Sequence, residues 1–517
     1  MLTYTLKFSL PRTYAALLLA LSALLGACSD GSSNSNTMAA ASTLGVPGAG
    51  NASTVMVPAA VAEGPVAGSP VLVSTFFSLA AQGYEQSEYF VSGTANNYTN
   101  VNAFDSDGQW QVQASEQANY KTRIVVNRPI DAADFNGTVV VEWLNVSAGF
   151  DSAPDWGMLH TELIRQGYAW VGVTAQKVGV ESLLDGSAAA LTGGDPNRYT
   201  DIHHPGDSYA YDMFSQIAQA LRTPEGVAPL GGLTAERLIA AGESQSAHYM
   251  MTYVNAFAPI HALYDAYFVH SRLASSAGLN SEFMEESTII PEIVRVRTDL
   301  GTPVMMLQTE TDLFVLGSYP SRQDDSSYFR LWEAAGTAHA DLYTFIDNRL
   351  DTGTNPNIAA VVENATPIPG IIDCAKPVNA GPQHFVANAA IRALNTWLVD
   401  GTAPTMADRL EVAGSPAAFV LDNLGNVKGG IRTPYVDVPI ATLSGEGQPR
   451  EGAGFCFLSG TTFLFDAATL GSLYADNAEY IEAVISSADD AVSKGFLIPE
   501  DAALIKTYAK NSDIFAP

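Results

Sequence analysis

A serine becomes a nucleophile only when a base takes its proton, and a histidine acting as that base needs a carboxylate to orient it. The stretch Ala241-Gly242-Glu243-Ser244-Gln245-Ser246-Ala247 offers the serine. The apolar run 238–241 before it reads as a short buried strand, and Ala247, Met250, Met251, Val254 and Phe257 follow at helical spacing. Ser244 then stands at the apex of a strand-turn-helix. A strained backbone projects the hydroxyl there, and the crowding of strand and helix demands small residues two positions before and two after. Gly242 meets that demand, while Ser246 replaces the more usual second glycine.

The base must come from eight histidines. His339 lies in Gly336-Thr337-Ala338-His339-Ala340-Asp341, a loop of small residues just after the last expected strand, 329–334. His384 is its rival but opens a helical stretch, 385–398, and is set aside. His160, His248, His261 and His270 are read as structural residues. Adjacent histidines cannot easily share one tetrahedral metal centre, so His203-His204 reads as a loop beside the site, and no metal site is expected. The acid should follow the preceding strand, where Thr309-Glu310-Thr311-Asp312 holds two carboxylates. Asp312 is preferred because Leu313 and Phe314 after it return the chain to the core; Glu310 remains the alternative. A developing oxyanion needs two backbone N–H groups. One is expected from Gln245 and the other from Asn145 or Val146, in the loop after the run 138–144.

These residues need a scaffold that brings strand ends together. Buried runs at 89–91, 123–126, 138–144, 169–173, 238–241, 266–269, 304–307 and 329–334 alternate with amphipathic stretches at 155–166 and 209–221. That alternation implies an α/β fold with a mostly parallel sheet of about eight strands, covered by helices on both faces. Ligands in such sheets bind beyond the carboxyl ends of the strands. Segments 180–205, 271–297 and 341–382 are too long for simple connections and are expected to form cap or lid insertions.

With 517 residues, 47% hydrophobic and 15% charged, the chain has ample core for a globular domain. Twenty-five Lys and Arg against 54 Asp and Glu give a formal charge of -29, which disfavours binding nucleic acid or an anionic membrane surface through charge. The N-terminus carries Lys7 and Arg12, then a short apolar run and Leu25-Gly26-Ala27-Cys28. This reads as a secretory signal over 1–27, too brief to span a bilayer. It also resembles the lipobox of bacterial lipoproteins, which implies an exported protein of the cell envelope, held at a membrane by lipid on Cys28. Residues 28–69, rich in Ser, Asn, Ala, Gly and Pro, are expected to be a flexible tether. In an oxidising compartment, Cys374 and Cys456 are expected to pair.

The segments Val140-Val141-Glu142-Trp143-Leu144-Asn145-Val146, His204-Pro205-Gly206-Asp207-Ser208-Tyr209, Gly242-Glu243-Ser244-Gln245-Ser246, Thr309-Glu310-Thr311-Asp312, Gly336-Thr337-Ala338-His339-Ala340-Asp341 and Gly381-Pro382-Gln383-His384 resemble a bacterial family of alpha/beta hydrolase domain-containing proteins. The resemblance runs from about residue 70 to the C-terminus. It implies the alpha/beta-hydrolase fold and, by analogy, ester hydrolysis; it says little about substrate. The expected organisation is a hydrolase domain over 70–445 and a helical C-terminal extension over 446–517 packed on it. The expected activity is cofactor-free serine hydrolysis of a small or polymeric carboxylic ester. A peptidase or thioesterase of the same fold, or a lipid-anchored binding protein on an inactive scaffold, are the alternatives. Oligomeric state is left open.

Overall fold

The computed structural model describes residues 55–515, apart from 73, 183–189, 283–284, 286 and 451–453. The signal segment, Cys28 and the first part of the expected tether lie outside the described residues.

Ten strands form one sheet: β1 (Val61–Glu63), β2 (Tyr84–Asn100), β3 (Val112–Pro129), β4 (Thr138–Trp143), β5 (Ala169–Val173), β6 (Glu225–Gly226), β7 (Arg237–Glu243), β8 (Ala266–His270), β9 (Val304–Gln308) and β10 (Phe329–Glu333). Their order is β10-β9-β8-β7-β4-β5-β3-β2-β1-β6. From β5 to β10 every neighbouring pair is parallel, and β2 and β3 form a long antiparallel ribbon at the other side. This is the alpha/beta-hydrolase fold.

The count exceeds the expected eight because β1 and β6 are three and two residues long, too short to carry a period. The run 89–91 is only the buried middle of the 17-residue β2, whose remaining positions are largely half-exposed and polar. Residues 55–69, expected in the tether, are partly built into the domain. Val57, Ala60 and Ala62 are buried in the main core, and the Ala60 amide donates to the Gln216 carbonyl at 3.1 Å.

The central strands are buried on both faces, and alternate residues feed two cores. Val139 and Val141 of β4 and Leu238 and Ala240 of β7 face Phe214, Ile217 and Met250. Those three lie on the helices Ala210–Arg222 and Gln245–Thr252. Val140, Ile239 and Ala241 face Trp156, Leu159, Ile391 and Leu394, from the helices Pro154–Arg165 and Gln383–Asp400. Each fully buried aliphatic side chain contributes about 1.5 to 3 kcal/mol relative to exposure. Together they fix the register of β4 between β5 and β7, with Val140 opposite both Trp170 and Ile239.

Two expected boundaries differ. An antiparallel hairpin of Ala441–Ser444 with Thr461–Leu464 crosses the division at 445/446, so the C-terminal part begins inside a paired element of the domain. The segment 341–382, expected as a cap, runs along the helices that cover one face. His160 bonds the Asp351 carbonyl at 2.8 Å, and the turn Pro356–Ala359 packs on the C-terminal helix Pro499–Asn511. Cys374 and Cys456 form a disulfide that joins this segment to the C-terminal part.

Candidate active site

The buried strand β7 ends at Glu243, and the helix Gln245–Thr252 starts two residues later. Ser244 between them has φ 57° and ψ -116°, a left-handed conformation that costs about 1 to 3 kcal/mol for a residue with a Cβ. Neighbouring bonds hold it there. Its N–H donates to the His270 carbonyl at 2.9 Å, and its carbonyl accepts from the His248 N–H at 3.1 Å. Gly242 is small by necessity, since a Cβ would stand 2.9 Å from the Ser246 carbonyl oxygen. Ser246 does more than fill a small site: its hydroxyl donates to the Glu243 carbonyl at 2.8 Å and accepts the Glu243 N–H at 3.1 Å, closing the turn.

His339 reaches this apex from the loop after β10. Its Nε2 lies 2.8 Å from Ser244 Oγ, and its Nδ1 lies 2.7 Å from Asp312 Oδ1. With the proton on Nδ1, the imidazole donates to Asp312 and turns its Nε2 lone pair to the hydroxyl. Asp312 is fixed in turn, because its Oδ2 accepts the Thr309 N–H at 2.6 Å. Thr311 ties the two loops: its hydroxyl accepts the His339 N–H at 3.2 Å and donates to the Gly445 carbonyl at 2.6 Å.

Glu310, the alternative acid, points elsewhere. Its carboxyl accepts the N–H of Gly336 at 2.6 Å and of Gly445 at 2.7 Å, a clamp between the base loop and the C-terminal hairpin. Burial pushes it up to about 8, with the two amides pulling the other way.

Of the expected oxyanion donors, the Asn145 amide is already committed, which corrects that expectation. It donates to the Ser152 carbonyl at 2.9 Å, while its side-chain oxygen accepts from Ser147 N–H at 2.8 Å. Asn145 therefore builds a turn. The Val146 N–H donates at 3.2 Å to the side-chain oxygen of Gln245, whose own backbone N–H opens the elbow helix. The Gln245 carboxamide is held from behind: its Nε2 donates to Gln176 Oε1 at 2.8 Å, and Gln176 donates to Asp207 at 3.0 Å. Asp207 belongs to the His204-Pro205-Gly206-Asp207 stretch, which stands beside the site as expected.

Glu243 was not anticipated. One carboxyl oxygen lies 3.3 Å from His339 Nε2, and the other accepts a 3.4 Å bond from Asn145 Nδ2. Burial pushes Glu243 up to about 7, against the pull of His339 and His270. Burial lowers His339, but Glu243 and then Asp312 outweigh it, and the imidazole ends above its usual value. The available signal was position: the residue before the nucleophile ends a wholly buried strand, so a carboxylate there has only the site to face.

His384, His270 and His204 have structural partners. His384 stacks on Tyr343 with ring centroids 3.7 Å apart, and burial pushes it down to about 3. His270 bonds Asp155 at 2.9 Å, and His204 bonds the Ala175 carbonyl at 2.8 Å. Among the described residues, no three His, Cys, Asp or Glu side chains are gathered as metal ligands would be.

A family model described as alpha/beta hydrolase domain matches residues 53–507. A search of curated proteins returns no match. Among solved structures, a serine hydrolase without a lid from Xanthomonas campestris is 12% identical with a TM-score of 0.27, covering 47% of this chain and 86% of that one. Acetyl xylan esterase 1 from Thermoanaerobacterium sp. is 12% identical, TM-score 0.26, covering 50% and 79%. An esterase from Rhizomucor miehei is 11% identical, TM-score 0.25, covering 47% and 74%.

Proposed function

The chain belongs to the alpha/beta hydrolase domain family, and from that membership we propose that it is a serine hydrolase cleaving a carboxylic ester through an acyl-enzyme. Ser244 is the nucleophile, His339 the general base and Asp312 the acid that orients it. The observation that carries this reading is the continuous line from Ser244 Oγ to His339 Nε2 at 2.8 Å and from His339 Nδ1 to Asp312 at 2.7 Å.

In this mechanism Ser244 Oγ attacks the ester carbonyl while Nε2 takes its proton. The imidazolium is stabilised by Asp312 and by the adjoining Glu243 carboxylate. The oxyanion is met by the Gln245 N–H and by the Val146 N–H, which the Gln245 carboxamide releases as substrate enters. The imidazolium then protonates the departing alcohol, and a water activated by His339 hydrolyses the acyl-enzyme. A fluorophosphonate probe tests the nucleophile: labelling of the wild type and none of Ser244→Ala is expected, and an unlabelled wild type would sink the enzyme reading. A panel of esters, thioesters and peptides separates an esterase from its neighbours in chemistry.

Export and lipid anchoring through Cys28 belong to the same proposal, on the strength of Leu25-Gly26-Ala27-Cys28 following an apolar run. Cys28→Ser is expected to release the protein from membranes; membrane retention of that variant counts against the anchor.

A further inference from the structure

Two arginines are among the largest fully buried side chains, and they are treated differently. Arg123 is neutralised by Glu88 at 3.0 Å and Asp151 at 2.9 Å. Arg272, 1% exposed, has no carboxylate partner among the described residues. Its Nε and Nη1 make no hydrogen bond, and Nη2 reaches only the Ser321 carbonyl at a long 3.4 Å. Removing a cation from water without a counter-ion costs several kcal/mol, so an orphaned buried guanidinium requires an explanation.

Its surroundings share the anomaly. Ser271 Oγ, Ser276 Oγ and His248 Nδ1 are also buried atoms without partners. All belong to the segment after β8 or to the elbow helix that this segment follows, joined by the Ala277 N–H to the His248 carbonyl at 3.0 Å. The charge acting on Arg272 is that of another cation, Arg295, whose own bonds go to the carbonyls of Arg322 and Pro320. Burial and then Arg295 draw Arg272 down to about 9, which leaves it charged at neutral pH. The backbone is pinned as well. Gln308 accepts the Arg272 N–H at 2.7 Å and donates to its carbonyl at 3.0 Å, and Ser271 is held at φ 54°. Arg272 follows by two residues the His270 carbonyl that accepts the Ser244 amide, so this cluster is coupled directly to the nucleophile.

We propose that Arg272, with Ser271, Ser276 and His248, forms a subsite for a carboxylate carried by the substrate, so that the preferred substrate is an ester bearing a free acid group, such as a monoester of a dicarboxylic acid. Donors without acceptors, linked through the backbone to the strand end that holds Ser244 in a chain of net charge -29, suit one local anion and not a general attraction for anions. This inference rests on the serine-ester reading above.

The test compares para-nitrophenyl glutarate, which keeps a free carboxylate, with the para-nitrophenyl ester of monomethyl glutarate, which does not. Wild type is expected to favour the charged ester by roughly tenfold or more in kcat/KM, chiefly through KM. Arg272→Met loses that ratio, and Arg272→Lys, which keeps a cation, retains part of it. Reading a ratio within each variant removes any general loss of activity. Independently of turnover, glutaric acid monoamide, which keeps the carboxylate but has no ester, should raise the Tm of wild type but not of Arg272→Met, and Arg272→Met alone should melt no lower than wild type, since it removes an unpaired charge. Equal use of both esters by wild type, or a preference that survives in Arg272→Met, overturns the proposal. So does stabilisation of wild type by phosphate or sulfate with none by glutaric acid monoamide, which would mark an inorganic anion site. If fluorophosphonate fails to label wild type, the serine reading falls while the melting comparison still decides the anion site.

Discussion

Glu243 Oε1 lies 3.3 Å from Nε2 of His339, the same nitrogen that meets the Ser244 hydroxyl at 2.8 Å. The proposed base is thus flanked by two carboxylates, Asp312 on Nδ1 and Glu243 on the side of Ser244. Only neutral imidazole can accept the serine proton, and ionised Glu243 favours imidazolium, so it raises the pH at which His339 becomes competent. Glu243→Gln removes that charge. The acidic limb of the kcat/KM profile is expected to move to lower pH, with the plateau rate within about tenfold of wild type. A limb that stays in place or moves up would show that Glu243 is protonated throughout the working range.

Asp312 is expected to hold the imidazole tautomer. Replacing it by asparagine leaves its geometry but presents an amide to Nδ1 and favours the wrong tautomer. Asp312→Asn should lower kcat roughly a thousand- to ten-thousandfold with little change in Tm. Turnover within several-fold of wild type at matched stability would remove Asp312 from the role.

Glu310→Gln should do the opposite, lowering stability more than turnover. The amide can accept from only one of Gly336 and Gly445 and turns an N–H toward the other, a loss of about 1 to 3 kcal/mol. The pH dependence follows from a folded pKa raised to about 8, well above the ordinary 4.5 of a glutamate. The folded state holds this proton more tightly than the unfolded one, so the wild-type contribution is complete below the unfolded pKa and is lost as pH rises through about 8. The variant lacks that slope, so its deficit should shrink between acid and mildly alkaline pH in denaturant titrations.

The disulfide closes a separation of 82 residues between the segment before the helix Gln383–Asp400 and the C-terminal hairpin. Paired replacement of Cys374 and Cys456 by serine should cost about 2 to 5 kcal/mol of stability while sparing the ester reaction, since neither residue touches the site. Equal melting of the variant and wild type would mean that the pair is reduced in the native protein.

What could be read before the structure was whatever repeats or concentrates. The central strands are continuous apolar runs because helices cover both faces, and Ser244, Asp312 and His339 follow strand ends in that chain order. Pairings made across long distances were not readable. The outer positions of β2 are half-exposed and polar, so its length shows only in the ladder to β3. Val61–Glu63 sits in a stretch of small residues, and its pairing depends on Phe90, Val91 and Ser92 of β2 and on Glu225 and Gly226 of β6. The choice between Asp312 and Glu310 turned on where the Gly445 amide lies, 135 residues after Glu310. Arg272 lay inside an expected insertion, and its lack of a counter-ion is a fact of packing that no local pattern carries.

The serine at the second small position of the elbow gives the last prediction. Were Ser246 merely a tolerated substitute for glycine, Ser246→Gly would be neutral. Its hydroxyl, however, bonds both the N–H and the carbonyl of Glu243. The carbonyl keeps a second donor in Asn145 Nδ2 at 3.0 Å, whereas the N–H of buried Glu243 loses the hydroxyl as an acceptor. Ser246→Gly and Ser246→Ala should therefore each lose about 1 kcal/mol or more, the net worth of the lost hydrogen bonds. Both should also label more slowly with fluorophosphonate, because the strained Ser244 backbone loses a brace. Gly242→Ala provides the contrast: its Cβ would crowd the Ser246 carbonyl from the other side, and the loss there is steric and not restored by any hydroxyl. Calorimetry and labelling rates on the three variants decide the matter, and a Ser246→Gly protein equal to wild type in both would reduce the hydroxyl to a bystander.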